Sequence, residues 1–160
     1  MRLSLFTNYA LRTLMYLGRH SDRLSTVTEI SDYYGMSRHH LVKVVHHLGK
    51  QDFINTTRGK DGGITLAYPL ELINLRDVIE ACEKEKALLE CFDDGKNSCV
   101  ISQSCRLKVA FDQAINQFLC ELERYTLADL LDQSAPCSMV GYTSHLFELG
   151  GETPRIISER

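Results

Sequence analysis

The sequence predicts a mainly α-helical chain with one small β-hairpin, and three observations carry that expectation. Helical apolar spacing runs through residues 5–48, a basic Gly-rich tip separates two strand-like runs, and a long apolar stripe follows the last of three closely spaced cysteines. Residues 5–18 place Tyr9, Ala10, Leu14 and Leu17 on one helical face with Leu11 and Met15 beside them, which predicts a buried first helix. Ser25 or Thr26 can cap a second, short helix bearing Val27, Ile30 and Tyr34, and Gly35 ends it. Ser37 starts a third helix, in which Leu41, Val44, Val45 and Leu48 fall at i, i+3, i+4 and i+7. Arg38, His39, His40, Lys43, His46 and His47 are left on its other faces.

Two short helices joined by a Gly-containing turn make the helix-turn-helix pattern, whose second helix reads the major groove with its N-terminal residues. Here those residues are Ser37, Arg38, His39 and His40. The runs FINTT and ITLAY flank RGKDGG, a hairpin tip in which Gly59, Gly62 and Gly63 permit tight backbone turns and Arg58 and Lys60 can reach phosphates. A basic hairpin directly after a basic helix is a winged helix-turn-helix. Residues 1–68 are therefore expected to bind DNA through Thr26, Ser37, Arg38, His39, His40, Lys43, Arg58, Gly59 and Lys60. Helix pairs and hairpins are also common in small domains without this role. Charge agrees with DNA binding, because residues 1–68 hold 9 Lys and Arg against 5 Asp and Glu, a net +4, whereas the remainder holds 9 against 16, a net −7.

Asn74 or Asp77 begins a helix with Leu75, Val78, Ile79 and Cys82, which leads through EKEK to the segment ECFDDGKNSCVISQSC. Cys91, Cys99 and Cys105 are spaced C-x7-C-x5-C, and residues 93–98 between them read as solvated turn. Soft thiolates favour zinc or iron–sulfur chemistry. Structural zinc usually takes four closed ligands in paired C-x2-4-C knuckles, which are missing here. Three cysteines without a fourth suit an iron–sulfur cluster with one open iron, where a small reactive molecule can attack. Three unrelated free thiols are the alternative, a reading that suits Cys82 and Cys120 better because both lie within apolar helical patterns. A stripe of Leu107, Phe111, Ala114, Ile115, Phe118, Leu119, Leu122 and Tyr125 then predicts a long helix that either covers the N-terminal helices or pairs two subunits. Residues 69–131 are expected to form one region, a candidate cluster-binding loop followed by a candidate dimerisation helix. Residues 132–160 read as a mobile tail with a possible short helix near residues 145–149.

The chain has 160 residues, about one domain, and its 44% hydrophobic composition is enough for a core. No apolar run approaches the roughly 20 residues of a membrane span, and the first residues lack a signal peptide's apolar centre. A cytoplasmic protein is expected, in which six cysteines point to ligands or redox thiols rather than disulfides. No nucleophile–base pair or phosphate loop accompanies the cysteines, so an enzyme is the poorest reading.

The segments MRLSLFTNYALRTLMYL, YGMSRHHLVKVVHHL, TTRGKDGGITLA, ECFDDGKNSCVISQSCRLK and ERYTLADLL resemble the IscR/NsrR/RirA superfamily of iron–sulfur winged-helix repressors over residues 1–131. HLVKVVHHLGK, RGKDGG, SCRLK and YTLADL are most similar to its nitric-oxide-sensing NsrR branch. The resemblance implies that Cys91, Cys99 and Cys105 hold a cluster, [4Fe-4S] in preference to [2Fe-2S]. It also implies that the winged helix binds promoter DNA, that the long helix pairs two subunits, and that DNA is released when the cluster is nitrosylated or lost. One position departs from the branch. An aspartate at the place of Asn8 supplies the fourth ligand from the partner subunit in well-known NsrR proteins, and an amide is a poorer ligand for iron than a carboxylate. TNYA with Asn occurs in RirA-like regulators that sense iron or cluster supply, the alternative within the class. A zinc-stabilised DNA module without sensing is the alternative outside it.

Overall fold

The computed structural model describes residues 3–60, 62–83, 90–92 and 97–132. The expected tail and the short helix near residues 145–149 lie outside these residues. Helix α1 (Leu5–Arg19) is capped by Ser4, whose hydroxyl accepts the Thr7 N–H at 3.1 Å. Helix α2 (Val27–Tyr34) starts at Thr26 in a reciprocal cap: the Thr26 hydroxyl accepts the Glu29 N–H, and the Glu29 carboxylate accepts the Thr26 N–H at 2.7 Å. Of the two residues able to cap, Thr26 does so because Ser25 is paired to a strand. Gly35 ends α2 with φ +63°, a left-handed conformation that costs glycine little.

Helix α3 (Arg38–Lys50) buries Leu41, Val44, Val45 and Leu48, the four positions of its apolar spacing, and leaves the basic face outside. Strands β1 (Ile54–Thr57) and β2 (Gly63–Leu66) pair antiparallel, with Ile54 opposite Leu66 and Thr57 opposite Gly63. The hairpin is fastened to the body at Ser25, whose N–H donates to the Ile64 carbonyl at 3.1 Å while the Ile64 N–H donates back at 2.8 Å. That approach requires glycine at position 63, since a Cβ there would sit 2.8 Å from Leu24 Cβ and 2.9 Å from the Ser25 carbonyl oxygen. Gly63→Ala should therefore destabilise the fold by about 1–3 kcal/mol, as overpacking typically does. A urea transition with an unchanged midpoint would contradict this account of the wing's attachment.

Helix α4 (Leu75–Cys82) begins at Asn74, whose side chain accepts the Arg76 N–H at 2.9 Å. Helix α5 (Arg106–Leu122) follows the cysteine segment, and helix α6 (Leu127–Leu131) opens with a second reciprocal cap between Thr126 and Asp129. The expected stripe through Tyr125 thus breaks after Leu122, and the chain turns back so that Leu127 is buried and Leu131 packs against the core. The core joins Ala10, Leu14 and Leu17 of α1, Ile30 of α2, the four apolar residues of α3, Ile54 and Ile64 of the hairpin, Val78 of α4 and Leu127 of α6. Helix α5 stands apart, with no buried residue along its seventeen. Among the described residues its main neighbour is α4 rather than the N-terminal helices. Among the described residues no helix is long and apolar enough to cross a membrane.

Candidate functional site

The residues expected to read DNA gather at the start of α3. Ser37 is its N-cap and makes no side-chain capping bond, and Ser37, Arg38, His39, His40 and Lys43 are all exposed. Apolar burial on the opposite face orients them: Leu41 and Val44, both fully buried, fix the rotation of the helix. The His40 ring lies 5.9 Å from that of His39 and 6.5 Å from that of Tyr9 on α1. Arg58, Gly59 and Lys60 are exposed between β1 and β2, with Gly59 at φ +116°. Thr26 is exposed at the N-terminus of α2, but its hydroxyl is engaged with Glu29, whose carboxyl is held below the usual range chiefly by the Thr26 N–H. Helix α3 and the hairpin thus present exposed basic and hydrogen-bonding side chains in the element order of a winged helix.

The cysteines occupy the connection between α4 and α5. Cys91 is buried, Cys99 and Cys105 are half-buried, and all three are free, as are Cys82 and Cys120. Cys105 is the N-cap of α5, at the positive end of that helix's dipole, where an anionic ligand is favoured. The Lys108 ammonium lies 5.6 Å from the centre of the Phe92 ring, next to Cys91. The donor set therefore suits a thiophilic iron centre chemically: three reduced thiols with a cation and a helix N-terminus nearby. Their convergence is another matter. Among the described residues no three His, Cys, Asp or Glu side chains are grouped so as to hold a metal ion, and residues 93–96 between Cys91 and Cys99 lie outside those residues. Asn8 is exposed on α1. Cys82 is a different kind of thiol, 3% exposed and pushed up to about 11 by burial, so the free thiol stays protonated at neutral pH.

Sequence reasoning missed the joints around this segment. The Glu83 carboxylate accepts the Ser4 N–H at 2.7 Å, which ties the end of α4 to the cap of α1. His47 reaches the Ala81 carbonyl at 2.9 Å. At the far end of α5, Asn74 Nδ2 donates to the Glu123 carbonyl at 2.6 Å and Arg76 pairs with the Glu123 carboxylate at 2.7 Å. All join residues at least 34 positions apart, so no local sequence pattern announces them.

The fold is that of a winged helix, and comparison with known proteins gives the class. The Rrf2 profile, described as that of an iron-dependent transcriptional regulator, matches residues 3–133. The chain is 46% identical to the HTH-type transcriptional regulator NsrR of Oceanobacillus iheyensis over 132 residues, covering 82% of this chain and 90% of that protein. It is 40% identical to the NsrR of Bacillus licheniformis over 132 residues, with 82% and 92% covered. The solved structure of T. potens IscR aligns with a TM-score of 0.67 at 20% identity, covering 88% of this chain and 93% of that one, which supports the fold alone. The chain belongs to the Rrf2 family of transcriptional regulators. Within that family it is of the NsrR type.

Proposed function

We propose that this chain is a homodimeric, iron–sulfur-dependent repressor that releases promoter DNA when nitric oxide reaches its cluster. The observation that carries the reading is the presence, in an NsrR-type chain, of three free thiols between residues 91 and 105 together with an exposed basic helix and hairpin. Cys91, Cys99 and Cys105 would hold the cluster, [4Fe-4S] in preference to [2Fe-2S], and a bound cluster would supply an iron without a protein thiolate, open to a small ligand. Asn8 offers only an amide dipole where NsrR relatives are expected to offer a carboxylate, so that iron would be weakly held. The protein would act in the cytoplasm on double-stranded DNA.

Homodimerisation is supported by α5. Leu107 is 58% exposed, and Phe111, Ile115 and Phe118 are only half-buried, an apolar stripe that a second copy can cover. Two-fold pairing would also present two reading helices to DNA half-sites about 34 Å apart, as helix-turn-helix dimers do.

An anaerobic absorption spectrum with iron and acid-labile sulfide analysis tests the reading. Brown protein containing both supports it; colourless protein containing zinc favours the structural module and would end it. The family's description as iron-dependent favours a second reading, in which iron or cluster supply is the signal. Exposure of the loaded protein to nitric oxide or to an iron chelator separates the two, by whichever releases DNA first.

The division of labour in DNA binding is testable too. Arg58→Ala and Lys60→Ala should weaken binding to all sequences alike and flatten the salt dependence by about one unit for each phosphate that is no longer neutralised. Arg38→Ala or His40→Ala should cost about 1–3 kcal/mol at one base position and relax preference there. Isotherms over a salt series on operator and scrambled DNA read both. An Arg58→Ala, Lys60→Ala double variant with unchanged affinity would remove the wing from the interface.

A further inference from the structure

The last turn of a helix leaves its carbonyls without intrahelical donors, and at the end of α4 one of them is satisfied from an unexpected direction. The Ala81 carbonyl accepts from Nε2 of His47, 2.9 Å away, in the last turn of α3. A carbonyl can only accept, so Nε2 carries the proton. The ring is held edge-on against Phe6 of α1, with centroids 5.3 Å apart and planes at 76°. Ala81 is the penultimate residue of α4, and the chain beyond it runs to Cys91. His47 therefore connects the helix that reads DNA to the root of the segment that carries the cysteines.

Helix α3 is a single rigid rod between two functional ends. Arg38 begins it and His47 lies nine residues on, about 14 Å along the axis at 1.5 Å per residue. A shift of the α4 terminus that moves the Ala81 carbonyl must either break this bond or carry the C-terminal end of α3 with it, and the orientation of Arg38, His39 and His40 changes with the rod. Coupling between two sites requires an element whose contacts differ between states, and this bond spans the two.

We propose that His47 is a positioning residue that couples the state of the cysteine segment to the orientation of the DNA-reading helix through its hydrogen bond to Ala81. The inference rests on the proposed function, in that it takes a group bound at the cysteines to alter DNA affinity. His47 is among neither the residues expected to hold that group nor those expected to read bases. Its loss should leave cluster content intact and remove the dependence of DNA binding on it.

The test uses the full chain in three forms: wild type, His47→Leu, which keeps apolar bulk against Phe6 but has no donor, and His47→Gln, which retains an N–H donor. For each, iron and sulfide per chain, the visible spectrum, and operator Kd are measured with the cluster loaded and removed. Hydrogen exchange of the α3 amides is followed in both states. In wild type the two Kd values should differ by tenfold or more. In His47→Leu the ratio should fall to threefold or less at unchanged iron and sulfide content, and α3 exchange should no longer respond to loading. His47→Gln should recover most of the ratio. A His47→Leu protein whose ratio matches wild type overturns the link alone. Failure of His47→Leu to fold would make the residue a structural one and also overturn it. If wild type binds the operator equally well with and without its cluster, the proposed function falls, and the link falls with it.

Discussion

Replacing Cys91, Cys99 or Cys105 with Ser should abolish iron–sulfur loading, and operator binding should then become indifferent to iron, sulfide and nitric oxide. The affinity difference removed is expected to be on the order of 10- to 100-fold, the range of ordinary coupling energies between two sites. Cys82→Ala provides the contrast. Its thiol is buried and raised to about 11, so that variant should load normally and show only the stability loss of a small core cavity. Anaerobic reconstitution with iron and sulfide analysis checks all four. Normal cluster content in any of the three Ser variants would remove that residue from the ligand set, and loss of the cluster in Cys82→Ala without loss of fold would add one.

The second large effect is expected at α5. Phe111 is half-buried and Ala114 exposed on a helix with no buried residue, and both belong to its apolar stripe. A Phe111→Asp, Ala114→Asp double variant would place two charges where the partner's apolar side chains must pack. Sedimentation should move from twice the 18.2 kDa chain mass to the single chain, while the helical signal of the N-terminal core persists. Operator affinity should fall by about 100-fold or more, because a monomer loses the gain from engaging both half-sites together. A variant that still sediments as a dimer would place the interface on another surface.

The parts of this molecule legible in its sequence are those set by local rules. Leu41, Val44, Val45 and Leu48 are all buried because four apolar residues at helical spacing leave one stable rotation for the helix. Gly35 is read correctly as a stop because few other residues adopt its left-handed conformation cheaply. Where two local rules competed, the sequence did not decide. Ser25 and Thr26 both suit a cap, and Ser25 is lost to that role through pairing with Ile64, a residue 39 positions away in the chain. The break between α5 and α6 was hidden by apolar residues that continue on both sides of it, although Thr126 and Asp129 carry a capping signature three positions apart.

The site divides in the same way. Exposure of Arg38, His39, His40, Arg58 and Lys60 follows from patterning and turn chemistry, so those residues could be named in advance. The three cysteines stand out by their spacing in a polar segment, although Cys91 proves to be buried and so has a packing role that the polar sequence around it does not announce. How they meet is not a local property, and the described residues do not draw them into one centre. His47 has no local signature at all. It falls on the polar side of α3, and only the folded chain places it against the end of α4.

The central claim is that a cluster on Cys91, Cys99 and Cys105 governs operator affinity. It is tested most directly by titrating nitric oxide, without oxygen, into loaded protein bound to fluorescent operator DNA while recording visible absorbance and anisotropy together. The cluster's absorbance and the DNA-bound signal should fall over the same equivalents of nitric oxide, and the Cys91→Ser protein should show neither change. Full operator binding retained after the cluster absorbance has gone would contradict the claim.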